Sequence, residues 1–397
     1  MTDVLAAVMH EPGRLSVERF PEPDPGPGAV VLRVHYSGIC GTDKHTWRGE
    51  TLQYAGTDHE RPVPYPLICG HENVGEIHSI GPGPAPVDHL GRTLSVGDRV
   101  VPAPNLTCGR CRFCLGESYP YYLCTALQDY GNSLTSARPP HLFGGWSQLM
   151  YLLPGTRLFR VPDDLPSPIA ALTEVMAVTH GLDAARSMTA IGGGFRTGDT
   201  VVVLGLGPLG LMHLAKAELL GAGRLVAIDL LAGRLEQARA FGAELCLDAA
   251  ATGPDDRRQA VRDATAGLGA DVVVDCSGVA TTVVEALELV RPGGTVIEAG
   301  AFVATGGVTV DPNRHICTPG VTVMGIGGET LEQYGPSLAL LARHRGRLPF
   351  GGAITHRVGL EQVAEALETA QTEAAMKMLV APNGDRETAG GGHTYQP

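Results

Sequence analysis

Val201-Val-Val-Leu204-Gly205-Leu-Gly207-Pro208-Leu209-Gly210, followed at once by Leu211-Met-His-Leu-Ala-Lys-Ala-Glu-Leu-Leu220, is the stretch that decides how this chain folds. Four apolar residues run into a GxGxxG turn, and a helical run begins with no gap. Strand, glycine turn and helix in that order are the first unit of a dinucleotide-binding sheet. The glycines have separate duties. One permits the tight turn, one lets backbone approach a pyrophosphate, and one allows helix and strand to pack closely, while the helix N-terminus faces the negative charge. Gly205, Gly207, Pro208, Leu209 and Gly210 are therefore candidate cofactor-binding residues.

Moving outward, the run Leu225-Val-Ala-Ile228 ends in Asp229, 19 residues beyond Gly210. A carboxylate at that distance suits the ribose diol of an adenosine and repels a 2′-phosphate, which favours NAD over NADP. Arg234 could lie along the adenine or simply be solvated. The runs Val272–Asp275 and Thr295–Ile297 continue the pattern, with Ala-rich helical stretches between strands from about Ile169 onward. Strands alternating with helices predict a doubly wound parallel sheet, an α/β architecture.

On the N-terminal side the texture differs. Short apolar runs (Val30–Val34, Val74–Ile80, Arg99–Pro102) are broken by Gly and Pro from Val4 to about Arg160, as in an irregular all-β domain. Beyond Gly325 come helical patterns over Leu331–Arg345 and Leu360–Thr372 and a short apolar run, Met378–Val380. The tail from Pro382 has few apolar anchors and is expected to be mobile. No internal repeat is present.

With 397 residues and 44% hydrophobic content, the chain can bury two cores. A net charge of −12 argues against a nucleic-acid partner and points to a small molecule. No segment reaches the roughly 18 uncharged apolar residues of a membrane-spanning helix, and Asp3 stands where a secretory signal would carry positive charge, so a cytoplasmic protein is expected. Nine cysteines would be reduced there. Four of them cluster as Cys108-Gly-Arg-Cys111-Arg-Phe-Cys114 with Cys124 following. Such spacing lets one loop wrap a tetrahedral zinc with sulfurs at about 2.3 Å, a closed and hence structural site.

Two further motifs, Gly38-Ile-Cys40-Gly-Thr42-Asp43-Lys-His45 and Gly70-His71-Glu72, follow expected strands. Together with the glycine turn and the cysteine cluster they resemble the zinc-dependent medium-chain dehydrogenase/reductase (alcohol dehydrogenase) superfamily, in its polyol and threonine dehydrogenase branch. The resemblance runs from Val4 to about Ala381. It implies a GroES-like irregular β catalytic domain over 1–176 with a structural-zinc lobe at about 98–126, which the turn Gly97-Asp98-Arg99-Val100 leads into. A Rossmann NAD-binding domain over 177–325, a return to the catalytic domain over 326–381 and a mobile tail over 382–397 complete the implied order.

By the same resemblance, Cys40 and His71 match the thiolate and imidazole ligands of a catalytic zinc. Glu174 matches a position where the family supplies a further ligand, and Glu72 a neighbouring carboxylate that binds the metal in some members; the choice between them stays open. Thr42 matches the hydroxyl beside the substrate oxygen, and His45 the outer end of a proton relay. The implied reaction interconverts an alcohol, secondary or polyhydroxylated, and its ketone or aldehyde by hydride transfer to NAD. An alcohol on zinc loses its proton readily, and a hydroxyl followed by an imidazole carries that proton outward. Two zinc ions per chain and a homodimer or homotetramer are implied as well.

The match loosens in places. The gap from Cys114 to Cys124 is two residues longer than usual, and 49–64, 82–94 and 118–142 read as insertions of the kind that select substrate. His59-Glu60-Arg61 and Tyr119-Pro-Tyr-Tyr122 suit a hydroxylated or charged substrate. Trp47 and Trp146 are candidates for pocket walls or for core packing. The competing readings are a zinc-free quinone or enone reductase, against which Cys40, His71 and Glu174 argue, and a non-catalytic dinucleotide-binding protein, against which Thr42 and His45 argue.

Overall fold

In the computed structural model, residues 3–53, 60–116, 121–188, 193–304, 306–372 and 375–385 are described. The chain divides into two compact units. The first comprises 1–174, 334–342 and 354–397; the second comprises 175–333 and 343–353.

The second unit is built on the quoted stretch. Thr200–Leu204 forms a fully buried strand, and Val201, Val202 and Val203 have no exposed surface. Burying each such side chain contributes about 1.5–3 kcal/mol. The sheet has six strands, in the order Leu245–Asp248, Arg224–Asp229, Thr200–Leu204, Ala270–Asp275, Val290–Glu298, Thr322–Gly325. All five pairings are parallel. The order reverses at Thr200–Leu204: the chain first moves to one side, through Arg224–Asp229 and Leu245–Asp248, and then crosses to Ala270–Asp275 on the other. A crevice at the carboxyl ends of the strands results, and ligands of open α/β sheets bind there. The strands Leu245–Asp248 and Thr322–Gly325 were not apparent in the sequence, because both lie at the edges of the sheet and carry half-exposed residues instead of a continuous apolar run.

The first unit carries a seven-stranded sheet. Its central path runs Leu158–Arg160, Arg99–Pro102, Glu72–Ile80, Val30–Ile39, Lys377–Val380, Ile354–Val358. Leu149–Leu152 also pairs with Val30–Ile39. The last strands thus bring the chain end back beside Val30–Ile39, with Met378 opposite Ile39. The core contains Trp146, fully buried, and Trp47, 8% exposed, so both tryptophans pack in the interior. His59, Tyr119 and Pro120 lie outside the described residues. Arg61 donates to Gln53 Oε1 and to the carbonyl of Leu127. No helix among the described residues is long and apolar enough to cross a membrane.

Candidate metal centres and cofactor site

The strand Val30–Ile39 ends at Cys40, which takes the N-cap position of a helix, Gly41–Arg48. Asp43 in the first turn accepts the Cys40 backbone N–H at 2.8 Å and the Gly70 N–H at 3.4 Å. One buried carboxylate therefore ties together the two turns that carry Cys40 and His71. Gly70 has φ of +91°, and a Cβ there would stand 2.3 Å from Ser37 Oγ and 2.6 Å from the Trp146 ring. Only glycine fits this turn. Gly38 has a comparable duty, since a Cβ on it would lie 1.8 Å from Glu72 Oε2.

The metal-ligating atoms of Cys40, His71 and Glu72 all lie within 4.8 Å of one another. Glu72 is fully buried and both its oxygens accept from Lys377 Nζ, at 2.6 and 2.5 Å. Lys377 is itself 1% exposed and donates to the Ile39 carbonyl at 3.2 Å. Glu174, 7% exposed, stands outside this close group but near enough for its charge to act on His71 and Lys377. Burial opposes a charge on His71, yet Cys40, Asp43 and Glu174 outweigh it and lift the imidazole well above its ordinary range. Burial pushes the Asp43 carboxyl up, with His71 working against it. His71 Nδ1 is buried without a hydrogen-bond partner. A thiol, an imidazole and several carboxylates gathered away from water, with one ammonium among them, fit a divalent cation of zinc's preferences.

Thr42 Oγ1 lies 3.9 Å from Cys40 Sγ on the same helix. His45, one turn further, has 21% of its side chain exposed and places Nδ1 2.6 Å from Glu50 Oε2. The hydrogen bond from His45, and then that from Arg48, hold the Glu50 carboxyl below its usual range. Glu50 belongs to the first insertion, and its link to His45 was not legible from spacing.

The four-cysteine cluster closes. The ligand atoms of Cys108, Cys111, Cys114 and Cys124 lie within 4.8 Å of one another, with Cys108 Sγ 3.8 Å and Cys111 Sγ 3.4 Å from Cys114 Sγ. Sulfurs at about 2.3 Å from a tetrahedral ion would be separated by roughly 3.8 Å. The longer gap before Cys124 does not displace it: its sulfur accepts the Cys108 N–H at 3.3 Å. Backbone N–H groups, that of Thr125 foremost, pull the Cys111 thiol down to about 5, whereas burial pushes Cys124 up to about 12.

In the second unit, Gly205 (φ +80°) packs so tightly that a Cβ would be 2.6 Å from Ser277 Cα, and one on Gly210 would be 2.0 Å from the Gly205 carbonyl. A Cβ on Gly207 would meet nothing within 4 Å. The protein's own packing therefore does not require Gly207; bare backbone at the N-terminus of the helix Pro208–Leu220 suits an arriving phosphate. Pro208 begins that helix, Leu209 follows it, and no side chain caps it. Asp229 ends its strand at 7% exposure and accepts the N–H groups of Leu206 (2.6 Å) and Leu231 (2.9 Å). It thus braces the glycine turn. Arg234 is paired, not free in solvent: its guanidinium lies 3.6 Å from Asp229 Oδ2.

A six-stranded parallel sheet of dinucleotide-binding type and, in the same chain, a β unit with two clusters of potential metal ligands are the combination found in nicotinamide-dependent metallo-dehydrogenases. Two family signatures match, "Alcohol dehydrogenase GroES-like domain" over residues 26–163 and "Zinc-binding dehydrogenase" over 208–343. The chain is 31% identical to 5-exo-hydroxycamphor dehydrogenase of Pseudomonas putida, over 94% of this chain and 98% of that one. It is 28% identical to sorbitol dehydrogenase of Ovis aries, over 95% and 96% of the two chains. An alcohol dehydrogenase structure from Thermotoga maritima superposes with a TM-score of 0.88 at 28% identity, covering 96% of this chain and all of that one. The chain belongs to the zinc-dependent medium-chain alcohol dehydrogenase superfamily, among its polyol dehydrogenase-like members. It is an oxidoreductase that acts on CH–OH groups with a nicotinamide cofactor.

Proposed function

We propose that this enzyme oxidises a secondary or polyhydroxylated alcohol with NAD, holding one zinc at Cys40 and His71 with the carboxylates Glu72 and Glu174, and a second at Cys108, Cys111, Cys114 and Cys124. The observation that carries this reading is the cluster of Cys40, half-buried, with the buried His71 and Glu72, and with Thr42 and His45 on the helix that Cys40 opens. When bound, zinc supplies a Lewis acid and the nicotinamide a hydride acceptor. The chain's own groups do the rest. Thr42 takes the alcohol proton, His45 passes it toward solvent with Glu50 fixing the imidazole, and Lys377 holds Glu72 in place. Asp229 receives the ribose diol, with Gly205, Gly207, Pro208, Leu209 and Gly210 beneath the pyrophosphate and Arg234 beside the adenosine.

The preference for NAD rests on Asp229, whose carboxylate repels a 2′-phosphate. A homodimer or homotetramer is the expected assembly. Thr322–Gly325, which has a single partner strand among the described residues and carries Val323 at 47% exposure, is the surface that supports it. The test is cofactor reduction against polyols, sugars, amino alcohols and secondary alcohols, with NAD and NADP in parallel, beside metal analysis of the purified protein. Two zinc ions per chain and faster NAD reduction with one of these classes are expected. A ratio near one, or equal efficiency with both cofactors, overturns the corresponding assignment.

A further inference from the structure

Two carboxyl groups of the second unit have no place in the chemistry above. Asp275 ends the strand Ala270–Asp275, Glu298 ends the neighbouring strand Val290–Glu298, and the two are directly opposite in the parallel register. Asp275 is 1% exposed. Its Oδ1 accepts the Ser277 N–H at 2.9 Å and its Oδ2 the Thr282 hydroxyl at 2.5 Å. Glu298 Oε1 accepts the N–H groups of Gly300 (3.0 Å) and Ala301 (2.9 Å), whereas Oε2 is buried and meets no donor. Its side chain instead reaches that of Asp275. Two ionised carboxylates are acceptors only, so this contact is satisfied when one of them carries a proton.

The pair stands close to the glycine turn. A Cβ on Gly205 would lie 2.6 Å from Ser277 Cα and 2.9 Å from the Cys276 carbonyl carbon, and one on Gly300 would lie 2.6 Å from Gly278 N and 2.8 Å from the same Cys276 carbon. The loops that follow Asp275 and Glu298 thus pack on each other and on the Gly205 turn. The groups that meet the pair from these elements are the Ser277 amide and hydroxyl, the Thr282 hydroxyl, the Gly300 and Ala301 amides, and the Cys276 thiol, which burial and then Asp275 and Glu298 push well up. Each is neutral at pH 7.

We propose that Asp275 and Glu298 form a proton-binding site linked to the dinucleotide site, taking up a proton as the pyrophosphate arrives at the Gly205 turn. The inference rests on the reading of that turn as the cofactor site. Burial, then the Asp275 charge, raise Glu298 to about 7, so the free protein holds the proton only part of the time near neutral pH. An anion placed nearby favours the protonated form further. The bound state then carries more protons than the free state, and affinity falls as pH rises through the interval between the free and bound values. The limiting slope for one proton is about tenfold per pH unit.

Two measurements on the full-length protein test this. The first follows glutamate side-chain carbons, labelled with 13C, by NMR across pH. One resonance titrating near pH 7 that is lost in Glu298→Gln is expected, and its absence from the wild type overturns the shared proton. The second is calorimetric binding of ADP-ribose at pH 7.5 in two buffers of different ionisation heat. Expected are net proton uptake by the wild type, reduced in Glu298→Gln, and a steeper loss of affinity between pH 7 and 9 in the wild type than in the variant. The Gln amide can donate to Asp275 as the acid does, which preserves the contact; Asp275→Asn is the second variant should the first fail to fold. Binding with identical proton uptake in wild type and variants overturns the linkage alone. No ADP-ribose binding at all overturns the cofactor reading and the linkage together, while the NMR titration separates that outcome from a failure of the carboxyl pair itself.

Discussion

At the residue scale, the feature that spacing did not reveal is Lys377, an ammonium 305 positions from the carboxylate it holds. A buried ion pair stripped of one member leaves an uncompensated charge, which costs about 3–5 kcal/mol. Lys377→Met is therefore expected to destabilise the zinc-free protein by that order in urea unfolding, and Lys377→Met with Glu72→Gln to recover much of the loss. Equal stability of the wild type and Lys377→Met would mean that water or another group serves Glu72. His45 allows a second expectation. With its imidazole replaced, His45→Gln should slow alcohol oxidation, and added small imidazole bases should partly restore the rate. Thr42→Ala should be more damaging, since no solvent base replaces a group beside the substrate oxygen, and Thr42→Ser should be mild. An unchanged rate and pH profile for His45→Gln, measured where chemistry limits turnover, would remove His45 from the proton path. For the cofactor, Asp229→Gly should weaken NAD binding and narrow the gap to NADP. Because Asp229 also accepts the Leu206 and Leu231 N–H groups, some loss of stability is expected alongside.

At the element scale, the cysteine lobe and the helix Gly41–Arg48 respond differently to loss of a thiol. The lobe between Cys108 and Cys124 contains only one four-residue helix and one three-residue turn of 3₁₀ helix among its described residues, so little besides the proposed zinc would order it. Cys111→Ser is expected to lower thermal stability and release one zinc, because a structural ion contributes its binding energy to folding. Cys40→Ser should abolish turnover with a far smaller change in melting, since Asp43 still ties the helix to the Gly70 turn. Melting curves and metal analysis of the two variants separate these roles; matching stability losses would contradict the division into structural and catalytic sites. The expectation of a closed site comes from C-x2-C-x2-C, which gathers its thiols locally, while the brace supplied by Asp43 depends on two turns meeting in space.

For the whole molecule, Thr322–Gly325 is an edge strand with a single partner strand among the described residues, and Val323 on it is 47% exposed. An apolar edge of this kind invites pairing with another strand. Val323→Lys is expected to shift the enzyme toward a smaller species in sedimentation or light scattering, with the Rossmann-type sheet otherwise intact by circular dichroism. An unchanged mass would place any subunit interface elsewhere.

The sequence by itself determined the glycine turn, the central strands of the parallel sheet and the dehydrogenase class, because each is written in contiguous residues whose chemistry is local. Val201–Leu204 is apolar since both faces are covered, and four thiols in 17 residues have few uses other than a metal. The tertiary structure alone decided which distant groups meet. It set Lys377 against Glu72, Asp43 across two turns, Glu50 on His45, and Asp275 opposite Glu298. It also returned Met378 to the side of Ile39 and left Leu245–Asp248 and Thr322–Gly325 as edges. A charge pair or a carboxyl pair carries no periodicity along the chain. Its members are brought together by strand order and register, and those are fixed only when the two faces of each sheet are buried.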